Sequence, residues 1–300
     1  MRKLILAVCV LLWALAPAAD ATTFEAAKNQ LNERGLRITV APGRWGQANT
    51  EDIEAVLYSV ADSFVRYFPD RQLPRILVEP VSGNPRVLFD RGLGGEYVIH
   101  LSARDRRWSQ YAYQFAHELC HILSNFDNEE AKDGAGALQN LWFEESVCDA
   151  AALFTLRQMT STWQDAPPYP HWASYAPAFS EYAQYLLVDA HRHKVDAANL
   201  GEWYRQNAAE LKRNPYLRTK NEVVAARLLP LLEKNPEHWE AISFLTISYL
   251  NRGPNARSRS FKEYLGSWYE YAPQRDKVFV GEVIEMFAMP TPGASYTSLR

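Results

Sequence analysis

The chain has 300 residues, 47% hydrophobic and 22% charged, with 14 Gly and 17 Pro, a composition that excludes fibrous repeats and disorder and allows a sizeable core. Lys plus Arg number 32 against 35 for Asp plus Glu, a formal net charge of -3. That balance gives no general electrostatic reason to bind nucleic acid or an anionic membrane surface.

At the start of the chain, Arg2 and Lys3 precede an apolar run over 4–15, Pro17 breaks it, and Ala19-Asp20-Ala21 puts small residues where a signal peptidase reads. A cleaved leader, 1–21, is therefore expected, and with it a periplasmic or secreted location. No later stretch is apolar for long enough to span a bilayer, so no transmembrane segment is expected. Of the three cysteines, Cys9 leaves with the leader and Cys120 and Cys148 remain in an oxidising compartment.

Residues 24–34 read as a short helix and 36–41 as a strand. Asn49-Thr50 followed by Glu51 and Asp52 is a helix start, with Ile53, Val56, Leu57, Val60, Phe64 and Phe68 keeping helical spacing up to Pro69. Strands follow at 75–79 and 86–89, separated by the turn Ser82-Gly83-Asn84-Pro85, and a third at 96–102 after Gly94-Gly95. Helices are predicted over 108–124 and 141–158. The segment 165–177 holds Pro167, Pro168, Pro170 and Pro177 and cannot be helical throughout. Beyond it the patterns are helical at 179–193, 199–213, 219–234, 237–251, 258–271 and 274–287. The expected class is α+β: a unit with a small mixed sheet over 22–165, a Pro-rich linker over 166–177, a mainly α-helical unit over 178–289 and a tail over 290–300.

The chemistry concentrates on His117-Glu118-Leu119-Cys120-His121, an HExxH sequence in a segment whose Tyr111, Phe115, Leu119 and Ile122 keep helical spacing. Side chains four apart on a helix share a face, so His117 and His121 are placed to bind one Zn²⁺ at about 2.0–2.1 Å. Glu118 falls beside that face, where it can take a proton from a water activated by the metal. A catalytic zinc needs a third protein ligand from another element. Glu145 and Asp149 are four apart on the next helix, so one carboxylate is available for the metal and the other for the spare nitrogen of a ligating His. Glu144 is the rival ligand, but its residue four on is Cys148, which favours Glu145.

These residues, with Glu145 following His121 after 23 intervening positions and Trp142 three before Glu145, resemble the gluzincin metallopeptidases, the thermolysin-like and alanyl-aminopeptidase-like group, over about residues 96–158. The resemblance implies a zincin-like catalytic domain, one zinc held by His117, His121 and Glu145, Glu118 as general base, and Asp149 as the partner of His117. It also implies an edge strand at 96–102 that receives an extended peptide or protein substrate, and Tyr216 as a later oxyanion donor. The sequence departs from the aminopeptidase pattern in lacking GxMEN and in carrying Ser146 where that pattern has Gly. Two further readings are a zincin-fold scaffold or binding protein without turnover and a zinc amidohydrolase acting on a non-protein amide such as cell-wall material.

Other features receive plainer expectations. His191 and His193 are two apart and read as solvated; His100 reads as a strand residue, cleft-lining or structural; Trp172 is a candidate wall of a substrate groove. Cys120 and Cys148 each sit three residues after a predicted ligand, which motivates a disulfide between them, with buried free thiols as the competing outcome.

Overall fold

A computed structural model describes residues 20–128, 137–247 and 260–292. The predicted leader falls almost wholly outside them, as do positions 293–300 of the tail. Among the described residues, no helix is long and apolar enough to cross a membrane.

The chain begins with helix α1 (Asp20–Glu33), strand β1 (Arg37–Val40) and helix α2 (Thr50–Val65). Helix α2 starts where the sequence places it: Asn49 caps it by accepting from the Asp52 amide at 2.6 Å, with Glu51 and Asp52 in the positive first turn. Strands β2 (Arg75–Pro80), β3 (Arg86–Val87) and β4 (Tyr97–Leu101) complete a four-stranded sheet in the order β1-β2-β4-β3. The pairs β1–β2 and β2–β4 are parallel, and β3 is antiparallel to β4. The strand predicted at 96–102 is therefore interior, not the edge. Two residues of β3 cover it, Arg86 opposite His100 and Val87 opposite Ile99, and β3 is the edge strand on that side.

Helix α3 (Trp108–Leu123) carries the HExxH residues and packs on α2 and on α4 (Leu141–Asp165). Its C-terminal end is held by Arg71, whose Nη2 donates to the Ile122 carbonyl at 2.9 Å, a cation where the helix dipole is negative. Helix α4 runs seven residues beyond the predicted end. Met159 and Trp163, four apart and fully buried, continue its inward stripe, and Pro167 follows its end.

The later helices are α5 (Ala176–Leu187), α6 (Leu200–Arg213), α7 (Arg218–Lys234), α8 (Phe261–Tyr271) and α9 (Lys277–Met286). The helix expected at 179–193 stops early and gives way to a 3-10 turn at Ala190–His193, and 237–251 is 3-10 over Pro236–Phe244, with 248–251 outside the described residues. The proline-rich stretch is partly ordered as a 3-10 turn, Pro170–Tyr175. The mixed α+β class is as expected. The buried side chains of both halves form one cluster, because α4 packs against α3 and also against α5 and α7. Trp142 and Phe143 of α4 pack on Phe261 at ring-centroid distances of 4.7 and 5.3 Å.

Candidate metal centre

Helical spacing on α3 aims two imidazoles the same way: the Nε2 atoms of His117 and His121 are 3.2 Å apart. Helix α4 crosses beside them and supplies Glu145, whose Oε2 is 3.2 Å from His117 Nε2 and whose Oε1 is 3.5 Å from His121 Nε2. Three donors on a tetrahedral zinc, each about 2.0–2.1 Å from the ion, stand about 3.3 Å apart. The three side chains meet that spacing, and their nitrogen and oxygen chemistry suits zinc.

The acid behind the site is not the expected one. Glu144, fully buried, places Oε1 2.8 Å from His121 Nδ1 and accepts from Ser124 Oγ at 2.6 Å. It therefore fixes the His121 ring so that Nε2 faces Glu145. Asp149, expected on His117, accepts instead from the Tyr113 hydroxyl and from Arg192 Nη1, the latter at 3.4 Å. The reason is the rotation of α4: Glu145 faces the imidazoles, Glu144 lies under His121, and Asp149, one turn on, meets Tyr113 and Arg192.

Glu118 is 3% exposed and accepts the Val87 amide of β3 on Oε2 at 2.7 Å. Its Oε1 makes no hydrogen bond among the described residues. Burial raises its pKa, against the pull of His117 and His121. Burial also acts to lower both imidazoles, but hydrogen bonds and charge from Glu144, Glu145 and Glu118 outweigh it, and His121 is held well above its ordinary value and His117 above it. Glu145 is lowered, because the two imidazoles outweigh its burial.

A second donor group shares His121: with Glu144 and Cys148 it forms a wholly buried set. Burial raises the Cys148 thiol well above its ordinary value, aided by a hydrogen bond with Cys120, so a thiolate ligand is disfavoured there. Cys120 and Cys148 are free thiols in this structure, not the disulfide considered from the sequence.

The His117, His121 and Glu145 group opens instead onto two adjoining hollows, of about 240 and 140 Å³. Tyr216, 62% exposed in the loop before α7, borders both, together with His117, Glu118 and Glu145. Asp149 borders the larger. Other expectations fare differently. Trp172 packs on Trp163 and Trp108 beside a separate hollow. His100 lies 3.3 Å from Glu79 on the sheet. His191 is not solvated but half-buried against Glu222, whereas His193 is exposed and bonds the Leu187 carbonyl.

Arg192, between those two histidines, went unnoticed in the sequence. It is fully buried and pairs with Asp149 and with Glu222 of α7, the latter at 2.8 Å. No family model, curated protein or solved structure matches this chain.

Proposed function

We propose that the chain is an exported, zinc-dependent peptidase of gluzincin type with a zincin-like catalytic half. The observation that carries this reading is the triangle of His117 Nε2, His121 Nε2 and the Glu145 carboxylate, with edges of 3.2–3.5 Å, at the junction of two hollows. His117, His121 and Glu145 would hold one zinc, which supplies a Lewis acid when bound.

The chain's own residues do the rest. Glu118 is anchored by one oxygen to the Val87 amide, and its other oxygen is available to a water in the cleft. With its pKa raised by burial, it takes the proton as that water attacks the amide carbon and returns it to the leaving amine. Glu144 holds the His121 ring in one tautomer and orientation. Tyr216 borders both hollows, where its phenol is a candidate donor to the developing oxyanion. The substrate is an extended peptide or protein.

The test is digestion of a peptide library by the zinc-loaded chain and by Glu118→Gln. Cleavage by the parent, with zinc retained but cleavage abolished in the variant, supports the reading. Equal cleavage by both overturns the role of Glu118. Bound zinc with no peptide cut supports the scaffold reading, and a cut confined to non-protein amides the amidohydrolase one.

A further inference from the structure

Two hollows meet at the His117, His121 and Glu145 group. The smaller has Val87, Phe89, Phe126 and Leu141 on its wall together with Arg86 and Tyr216. Its volume of about 140 Å³ is close to that of an apolar cavity of about 150 Å³ known to admit benzene. It therefore has room for one side chain. The larger meets Gln114, Tyr113, Asp149, Arg218 and Asn221.

Arg218 and Asn221 are three apart in the first turn of α7 and so share a face. Nε of Arg218 donates to Glu222 Oε1 at 2.8 Å, its side chain is 69% exposed, and its terminal nitrogens make no hydrogen bond among the described residues. Asn221 is 4% exposed. Its Nδ2 donates to the Pro215 carbonyl at 2.7 Å, which fixes the amide's orientation, and its Oδ1 is a buried acceptor with no partner among the described residues. Such an acceptor carries a desolvation cost until a donor reaches it. The fork of an Arg matches a carboxylate, and the two acids packed beside Arg218 already have further partners: Asp149 pairs with Arg192, and Glu222 with Arg192 and His191.

We propose that Arg218 and Asn221 are a specificity pair that reads a substrate carboxylate and a neighbouring N–H, so that the favoured peptide carries a carboxylate beside the cleaved bond. The inference rests on the reading of His117, His121 and Glu145 as the reacting centre. The carboxylate belongs either to the peptide's own C-terminus or to an Asp or Glu side chain.

Binding is measured by calorimetry on the zinc-loaded full chain carrying Glu118→Gln, so that turnover does not intervene. The three probes are acetyl-Ala-Phe-Ala with a free carboxylate, the same peptide as its amide, and acetyl-Ala-Phe-Glu amide. At least one carboxylate probe is expected to bind about tenfold or more tightly than the neutral amide. Preference for the first alone identifies the chain terminus, and preference that extends to the third identifies side-chain carboxylates. Adding Arg218→Met is expected to erase the preference and Arg218→Lys to keep part of it; because Arg218 is mostly exposed, folding is checked simply by an unchanged Tm. Equal or absent binding of all three probes, or a preference that survives Arg218→Met, overturns the inference. Zinc content measured on the same samples separates the two layers: less than one zinc per chain removes the metal reading, whereas one zinc without carboxylate preference removes only this inference.

Discussion

His121 Nδ1 lies 2.8 Å from Oε1 of Glu144, a carboxylate with no solvent exposure. Glu144 and Glu145 are adjacent in the chain yet hold the same ring from opposite nitrogens, Glu145 facing Nε2 at 3.5 Å. On the zinc reading proposed above, Glu145 would touch the ion and Glu144 would orient the ligand His121.

Replacing the orienting acid is therefore expected to weaken zinc binding without removing a ligand. Glu144→Gln should lower zinc affinity about 10- to 100-fold, the usual cost of losing such a partner, as read by competition with a chromogenic chelator. Asp149→Asn, which alters a residue bonded to Tyr113 and Arg192, should have the smaller effect. The opposite ranking would restore Asp149 as the partner of a ligand.

Protons compete with the metal for the same nitrogens. With zinc stripped by a chelator, His117 and His121 titrate above the ordinary imidazole value, held up by Glu144, Glu145 and Glu118 against their burial. A raised pKa contributes stability that is complete below the unfolded-state value, about 6.5, and is lost as pH rises through the folded-state value. The stripped protein should thus lose Tm as pH rises above the ordinary imidazole range. The increment in Tm on adding zinc should grow over the same range, because binding releases protons. Calorimetric scans at several pH values read both trends, and parallel curves with and without zinc would contradict them.

The buried Arg192 joins α4 to α7 through Asp149 and Glu222. Arg192→Met leaves Asp149 with Tyr113 alone and reduces Glu222 to His191 and Arg218. Removing one partner from a buried pair costs about 3–5 kcal/mol, and urea unfolding should show a loss of that order. A loss under about 1 kcal/mol, the range of surface pairs, would show that the network is hydrated.

Cys120 and Cys148 are both buried free thiols. Alkylation in denaturant without reductant, followed by peptide mapping, should label both. An unlabelled, cross-linked pair of peptides would establish the disulfide instead.

How far the sequence carried the site follows from what each feature depends on. The pairing of His117 with His121 is local helical geometry, and Glu145 as a candidate ligand followed from the face it shares with Asp149, although Asp149 bonds Tyr113 and Arg192 and no imidazole among the described residues. Glu144 did not, because the choice between two neighbouring acids for the ring behind the site turns on the rotation of α4 about its axis relative to α3, a tertiary quantity. The interior place of β4 was hidden for a different reason: a strand was expected at 86–89, but its antiparallel pairing with β4 is a matter of strand order, which is tertiary. Arg192 sits in a 3-10 turn between two histidines, where no periodicity separates an inward side chain from a wet one. The Val87 amide that anchors Glu118 is backbone and leaves no trace in composition. Helix α4 outran its predicted end because Met159 and Trp163 extend the inward stripe through polar neighbours such as Gln158 and Thr162.

X-ray absorption at the zinc edge of the loaded protein addresses the metal centre itself. A shell of nitrogen and oxygen ligands only, at about 2.0–2.1 Å and containing two imidazoles, is the expected spectrum for His117, His121 and Glu145. A sulfur scatterer at about 2.3 Å would move the metal to the buried His121, Glu144 and Cys148 set and contradict the account.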